Sequence, residues 1–369
     1  MATTFRNTVF EVNLNALKHN YSFFRNQLNT NTKIMAVVKA FAYGHGAVAV
    51  SKELAVLGAD YLAVAFIDEG VEIRKSGNSL PILIFNPNPE EFDAIVKYNL
   101  APTIYNIDFL IHFTAYLTKN GLKNYPIHIK LDTGMHRSGF MKEDVEKLKK
   151  TLINMDTVLV KSIFTHLAAS EDLSEKQFTL AQLKQFKQQA KSINNILVNK
   201  PLLHVLNSAG IINYPEAQFD MVRLGISLYG SSSLEIVQKE LHAVGTLKAI
   251  ITQIRTIKKG ETVSYNRKFK APKETIVATI PIGYADGIDR RLSNGVGKVL
   301  INKKEASIIG SVCMDSLMID VTEIQAAIGD QVVFFGKNYT VQKAANILNT
   351  ITYEVFTNVS KRVKRIYIK

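Results

Sequence analysis

Lys39 ends an apolar run, Ile34–Val38, in the stretch Val37-Val38-Lys39-Ala40-Phe41-Ala42-Tyr43-Gly44-His45-Gly46. Burying an ammonium at such a place costs desolvation, which lowers its pKa and favours the free amine, a good nucleophile. Position alone leaves two readings open: a covalently used amine, and an ion-paired lysine at a rim. Comparable residues follow other apolar runs. Arg137 comes after Asp132-Thr133-Gly134, His166 after Val160–Phe164, and Asn207-Ser208 after Leu202–Leu206, while Arg223 and Gly225 lie around the end of Met221–Leu224. Gly225 suits an anion, because a missing Cβ lets the backbone come close. Taken singly, Ser208 also reads as a helix N-cap and His166 as a structurally satisfied histidine.

The elements that must position these residues alternate. Eight short β-rich segments, Ile34–Val38, Tyr61–Ala65, Ile82–Phe85, Ala101–Ile104, Ile127–Leu131, Val160–Phe164, Leu202–Leu206 and Met221–Leu224, are separated by helical patterns such as Gly46–Leu57, Pro89–Tyr98, Lys142–Leu152 and Ser174–Asn194. Strand-helix alternation implies a parallel sheet, and eight units imply a (β/α)8 TIM-type barrel with its active site at the C-terminal strand ends. The residues singled out above sit at those ends. After about Ser233 the texture changes to β-branched segments broken by glycines: Leu247–Ile257, Thr275–Ile280, Lys298–Ile301, Glu305–Val312, Ser316–Asp320, Asp330–Phe335 and Arg365–Ile368. They predict a smaller, mostly antiparallel β domain. The domains are expected at 1–240, the barrel, and 241–369, the C-terminal β domain.

Composition narrows the class. The 369 residues are 47% hydrophobic and 21% charged, which gives a globular chain ample core. The single cysteine, Cys313, excludes an internal disulfide framework and fits a reducing compartment; it packs more readily than it reacts. No Cys/His spacing suggests a metal. There is no signal-type apolar region and no uncharged run long enough to span a membrane, so a cytoplasmic protein with no membrane partner is expected. The net charge of +13 is spread along the chain, densest at Lys361-Arg362-Val363-Lys364-Arg365, with no nucleic-acid motif. Solubility and anionic small molecules account for it better than nucleic acid.

The segment around Lys39 resembles the pyridoxal-phosphate (PLP) lysine signature of the alanine racemase family. The resemblance continues in order across nearly the whole chain, through Lys130-Leu131-Asp132-Thr133-Gly134-Met135-His136-Arg137, Phe164-Thr165-His166, Asn207-Ser208-Ala209, Met221–Gly230, Val263-Ser264-Tyr265, Gly283-Tyr284-Ala285-Asp286-Gly287 and Cys313-Met314-Asp315. It implies an isomerase that interconverts L- and D-alanine on PLP, with Lys39 as Schiff-base lysine. Tyr43, Ser208 and the backbone of Gly225 and Ile226 would then hold the phosphate. Arg223 would face the pyridine nitrogen, supported by His166 and Asn207. Arg137 would lie near the phenolic oxygen and the substrate carboxylate, oriented by Lys130 if that lysine carries a carbamate.

Racemisation removes a proton on one face and delivers one on the other, which two bases do more simply than one. The resemblance implies Lys39 for the D-enantiomer and Tyr265 for the L-enantiomer. A phenol ionises near pH 10 in water, so such a base needs cationic surroundings or works through a small phenolate fraction. The family solution is a homodimer with shared active sites, in which the partner's β domain delivers Tyr265 and Met314. Tyr284 resembles an entry-gate tyrosine but reads equally as a core aromatic, and Asp315 and Cys313 are supporting residues. The D-alanine would supply peptidoglycan.

Two positions depart from the family pattern. Phe41 replaces the usual asparagine, and Lys361 stands where the family often has a tyrosine expected to help bind phosphate and position the substrate. Other readings are a racemase of serine or another small amino acid, a basic-amino-acid decarboxylase, whose expected motifs are missing, and a non-catalytic PLP carrier, which would have no use for the long β domain.

Overall fold

The computed structural model describes residues 7–153 and 155–369. Eight parallel strands form the first sheet: β2 (Lys33–Val37), β3 (Tyr61–Val64), β4 (Ile82–Ile84), β5 (Ala101–Ile104), β6 (Tyr125–Lys130), β7 (Val158–Phe164), β8 (Leu202–His204) and β9 (Met221–Leu224). Strand β2 pairs with both β3 and β9, and the sheet runs from β9 through β2 to β8. The backbone amides of Asp220 and Arg223 donate to Leu203 and Leu206 at 3.1 and 2.9 Å, bringing β9 against β8 and nearly closing the barrel. Both strand faces are covered, which is why these segments read as continuous apolar runs. Helices including Ala47–Val56, Ile107–Lys119 and Lys176–Asn194 cover the outside. Asparagine side chains cap several starts: Asn106 accepts from Phe109 N and Asn207 from Gly210 N, each satisfying an orphan first-turn donor.

A second, nine-stranded sheet follows. It contains β1 (Val9–Asn13), β10 (Gly245–Ile250), β11 (Gln253–Ile257), β14 (Thr275–Ile280), β15 (Lys298–Ile301), β16 (Lys304–Ile309), β17 (Leu317–Asp320), β18 (Gln331–Phe335) and β19 (Lys364–Ile368), while β12 (Thr262–Val263) and β13 (Phe269–Lys270) make a separate hairpin. The expected strand Leu247–Ile257 is two strands, because the chain turns between Ile250 and Gln253 and β11 leaves to pair with β14. Not all neighbours are antiparallel, since β19 lies parallel to β1. The first described strand, β1, also pairs antiparallel with β10, so it belongs to the second sheet, and helix Leu14–Arg25, capped by Asn13, then leads to the barrel. Two helices lie between β18 and β19, Val341–Leu348 and Thr352–Thr357. Among the described residues no helix is long and apolar enough to cross a membrane.

Candidate active site

A cavity of about 680 Å³ opens at the C-terminal ends of the barrel strands. Lys39, Tyr43, Lys130, Arg137, His166, Asn207, Ser208, Arg223, Gly225 and Ile226 all line it. The size is that of a small-molecule site.

Lys39 enters from an unusual backbone. Directly after it the chain makes a left-handed helical turn, with φ of +52° at Ala40, +56° at Phe41, +53° at Ala42 and +50° at Tyr43, ending at Gly44 with φ +83°. Each non-glycine residue there costs about 1–2 kcal/mol, so the surroundings must hold the turn. Glu69 does so from the side: one carboxylate oxygen accepts from Ala40 N at 2.5 Å, the other from Ala65 N at 2.7 Å and Phe66 N at 3.1 Å. The buried His45 ring donates from Nδ1 to the Tyr43 and Ala42 carbonyls at 2.9 and 3.2 Å. Gly44 is also sterically required, since a Cβ there would come within 2.3 Å of the Phe356 carbonyl oxygen. The turn brings Lys39 and Tyr43 to the same cavity. Burial lowers the Lys39 pKa, Arg137 adds to the effect and Glu69 opposes it, so the amine loses its proton more readily than an exposed lysine.

Arg223 is fully buried below them. Its Nη1 donates to His204 Nδ1 at 2.7 Å and to His204 O at 3.2 Å. Its Nη2 donates to Thr165 O at 2.7 Å, Val205 O at 2.8 Å and His166 Nδ1 at 3.2 Å. The remaining donor, Nε, has no partner among the described residues, and Arg223 lines the cavity. His166 is kept neutral by burial and by the neighbouring Arg223, Arg137, Lys130 and Lys39, so it can accept from the guanidinium. Asn207, expected beside Arg223, is occupied elsewhere: its Oδ1 accepts from Gly210 N at 2.9 Å and Ser170 Oγ at 2.8 Å.

At another wall, Ser208 Oγ accepts from Gly225 N at 3.1 Å, so that amide is already engaged. A Cβ on Gly225 would lie 3.1 Å from the Tyr43 hydroxyl and would narrow this corner. Burial pushes the Tyr43 phenol well up, keeping it a donor. Tyr353 lines the same cavity, its ring 5.9 Å from that of Tyr43. Burial, with Glu171 adding, pushes its phenol up to about 12. Lys361, whose role the sequence left open, does not line the cavity, and the tyrosine in this corner is Tyr353. Its signal, an aromatic in the helical stretch Thr352–Thr357, lay outside the strand ends.

Lys130 Nζ donates to Ser138 Oγ at 2.6 Å. Burial, then Arg137 and Arg223, lowers its pKa to about 8. Asp132 braces the adjoining loop, its Oδ1 accepting from Gly134 N at 3.0 Å and His136 N at 3.1 Å, and the loop presents Arg137. Lys39, Lys130, Arg137 and Arg223 together make the cavity strongly cationic, a setting for an anionic ligand.

Residues 12–233 match the alanine racemase N-terminal domain and residues 244–367 the alanine racemase C-terminal domain. Alanine racemase 1 of Clostridium acetobutylicum is 40% identical over 370 residues, covering 97% of this chain and 95% of that protein. The structure of alanine racemase from Clostridium difficile 630 superposes with a TM-score of 0.93 at 34% identity, covering 99% of this chain and 97% of that one. The alanine racemase of Bartonella henselae, solved with covalently bound pyridoxal phosphate, superposes at 0.88 with 31% identity, over 98% and 99% of the chains. The chain belongs to the alanine racemase family.

The remaining family-matched residues form a second cluster, on the β domain. Tyr265 is 66% exposed and Met314 53% exposed; neither enters the cavity of its own chain. Tyr284 is exposed too, hence not a core aromatic. The loops are tied together: Tyr284 N donates to Cys313 O at 3.0 Å and Ala285 N to Met314 O at 3.1 Å. A Cβ at Gly283 would lie 2.3 Å from the Cys313 carbonyl oxygen, so only glycine allows this approach. Tyr265 stands in a strained turn between Ser264 (φ +67°) and Asn266 (φ +59°), with Ser264 Oγ donating to Ser311 O at 2.8 Å. Arg362 bridges Asp315, at 2.5 Å, to the buried Asp286, at 2.7 Å.

Proposed function

We propose that this chain interconverts L- and D-alanine with PLP bound through Lys39, as a homodimer in the cytoplasm whose D-alanine supplies peptidoglycan. The observation that carries the reading is Lys39, its pKa lowered by burial, facing one cavity with a buried Arg223 whose Nε has no partner among the described residues. The cavity fits PLP: besides Lys39, the cationic side chains Lys130, Arg137 and Arg223 suit its charge, the Tyr43, Ser208 and Tyr353 hydroxyls and the Ile226 amide suit its phosphate, and the glycine at 225 leaves room. Bound PLP supplies the electron sink that makes an amino acid's α-proton removable. Arg223 cannot readily surrender a proton, so it would hold the ring nitrogen as an acceptor and temper that sink.

The chain's own residues then divide the proton work. The Lys39 amine takes or returns the α-proton of D-alanine on one face. The partner's Tyr265 serves L-alanine on the other, a reading supported by the exposed Tyr265, Met314 and Tyr284 cluster. Arg137 would hold the substrate carboxylate, and a carbamate on Lys130 would turn a repulsive neighbour into an ion-pair partner that orients Arg137.

The test is to incubate the PLP-loaded protein with L-alanine in D2O and follow optical rotation and deuterium at Cα. Rotation falling to zero with deuterium uptake, and severe impairment in Lys39→Ala and Tyr265→Phe, is expected. A loaded protein that leaves the rotation unchanged would overturn the proposal.

A further inference from the structure

A chain of polar side chains crosses the barrel interior beneath the cavity. His128 on β6, Ser162 on β7, His204 at the end of β8 and Arg223 on β9 come from four neighbouring strands, and all are buried. Barrel interiors are filled chiefly by branched apolar residues, so this row is a departure that needs a reason. A register shift between Ile127 and His128, with Lys161 as the extra residue on β7, sets Ser162 opposite His128. His128 Nδ1 lies 2.6 Å from Ser162 Oγ, Ser162 Oγ 2.9 Å from His204 Nε2, and His204 Nδ1 2.7 Å from Arg223 Nη1.

The donors can be assigned by elimination. A guanidinium has no acceptor, so His204 Nδ1 must accept and carries no proton. The proton of the neutral ring is then on Nε2 and is donated to Ser162 Oγ. The Ser162 hydroxyl hydrogen has one acceptor among the described residues, His128 Nδ1, which leaves the proton of that ring on Nε2. Every hydrogen bond points away from Arg223. Phe164 stacks on His204 with centroids 4.8 Å apart and an interplanar angle of 7°, fixing the ring plane.

We propose that Ser162 and His128 are positioning residues: through His204 they hold the Arg223 guanidinium in the orientation that aims Nε into the cavity. The inference rests on the proposed function for what Arg223 faces. The relay's logic is that of an outer shell, where a second hydrogen bond fixes a ring's tautomer and hence the group it supports. Stability alone does not explain the row, since well-packed apolar side chains of similar shape serve a core as well.

The test compares wild type with Ser162→Ala, Ser162→Thr and His128→Leu. 15N NMR of histidine-labelled protein without cofactor, the His204 signal assigned by its loss in His204→Phe, should show the Nε2–H tautomer. In the PLP-loaded enzyme Ser162→Ala and His128→Leu should shift the visible absorption maximum of the cofactor and lower kcat on the order of tenfold with little change in KM. Ser162→Thr, which keeps the hydroxyl, should restore both. An Nδ1–H tautomer, or an unchanged absorption maximum and kcat in Ser162→Ala despite a lowered Tm, would overturn the relay. A wild-type protein that takes up no PLP would overturn the proposed function instead, and the tautomer would then decide the relay alone.

Discussion

The Lys361 ammonium lies over the ring of Phe41, 4.9 Å from its centre. Phe41 and Lys361, read from the sequence as replacing a usual asparagine and tyrosine, meet each other rather than the cavity. Arg365 approaches the same ring at 5.3 Å and donates to the Gly44 carbonyl at 2.9 Å, so the C-terminal segment clamps the left-handed turn that follows Lys39. A bulky residue at φ +56° is an outlier, and the aromatic contact with two cations helps to hold it there.

A double-mutant cycle on Phe41→Leu and Lys361→Met should therefore return a coupling of about 0.5–1 kcal/mol in urea unfolding, the range for a cation–π pair at the surface. KM for alanine should stay unchanged in Lys361→Met, because that side chain does not touch the site. Additive effects would show that the ammonium and the ring do not stabilise each other.

Lys130 is expected to take up carbon dioxide. Its pKa is lowered to about 8, so the uncharged amine that attacks carbon dioxide becomes the major form only above that value, some two units earlier than for an exposed lysine. With 13C-labelled bicarbonate, a carbamate signal should appear and grow as the pH rises through about 8, and be lost in Lys130→Ala. An unmodified Lys130 amine at high pH would remove the role assigned to the carbamate.

Acid should weaken the fold through buried histidines. Burial pushes both His45 and His128 down to about 3, whereas an unfolded chain's histidines bind protons below about 6.5. The unfolded state thus binds more protons between those values. The contribution is fully present above about pH 6.5 and is lost as the pH falls toward 3, at about 1.4 kcal/mol per pH unit for each ring. The urea midpoint should fall between about pH 7 and about pH 5. A flat midpoint would mean that these rings accept protons inside the fold.

The barrel was legible because strands buried on both faces read as continuous apolar runs. Lys39, His166 and Ser208 stood out because each broke the pattern just past such a run. The same logic hid His128 and His204, which lie inside their runs and resemble tolerated exceptions until the register sets them beside Ser162. Tyr353 was missed for a different reason: it comes from a helix of the second domain that closes over the barrel mouth, a non-local approach with no local signature. The pairing of β1 with β10 and β19 is likewise set by contacts more than two hundred residues apart. Glu69 carries no signal of its own in the sequence, because its task appears only once the left-handed turn after Lys39 sets the Ala40 amide beside it.

The central claim is that each active site joins Lys39 of one chain to Tyr265 of the other. It is tested most directly by complementation: unfold the inactive variants Lys39→Ala and Tyr265→Phe together, refold them with PLP, and assay alanine racemisation. A mixed dimer would contain one site lacking both groups and one site with both intact, so activity should reappear from two inactive proteins. If the mixture, shown to contain mixed dimers, stays as inactive as either variant alone, the sites are not shared and the two-base account fails.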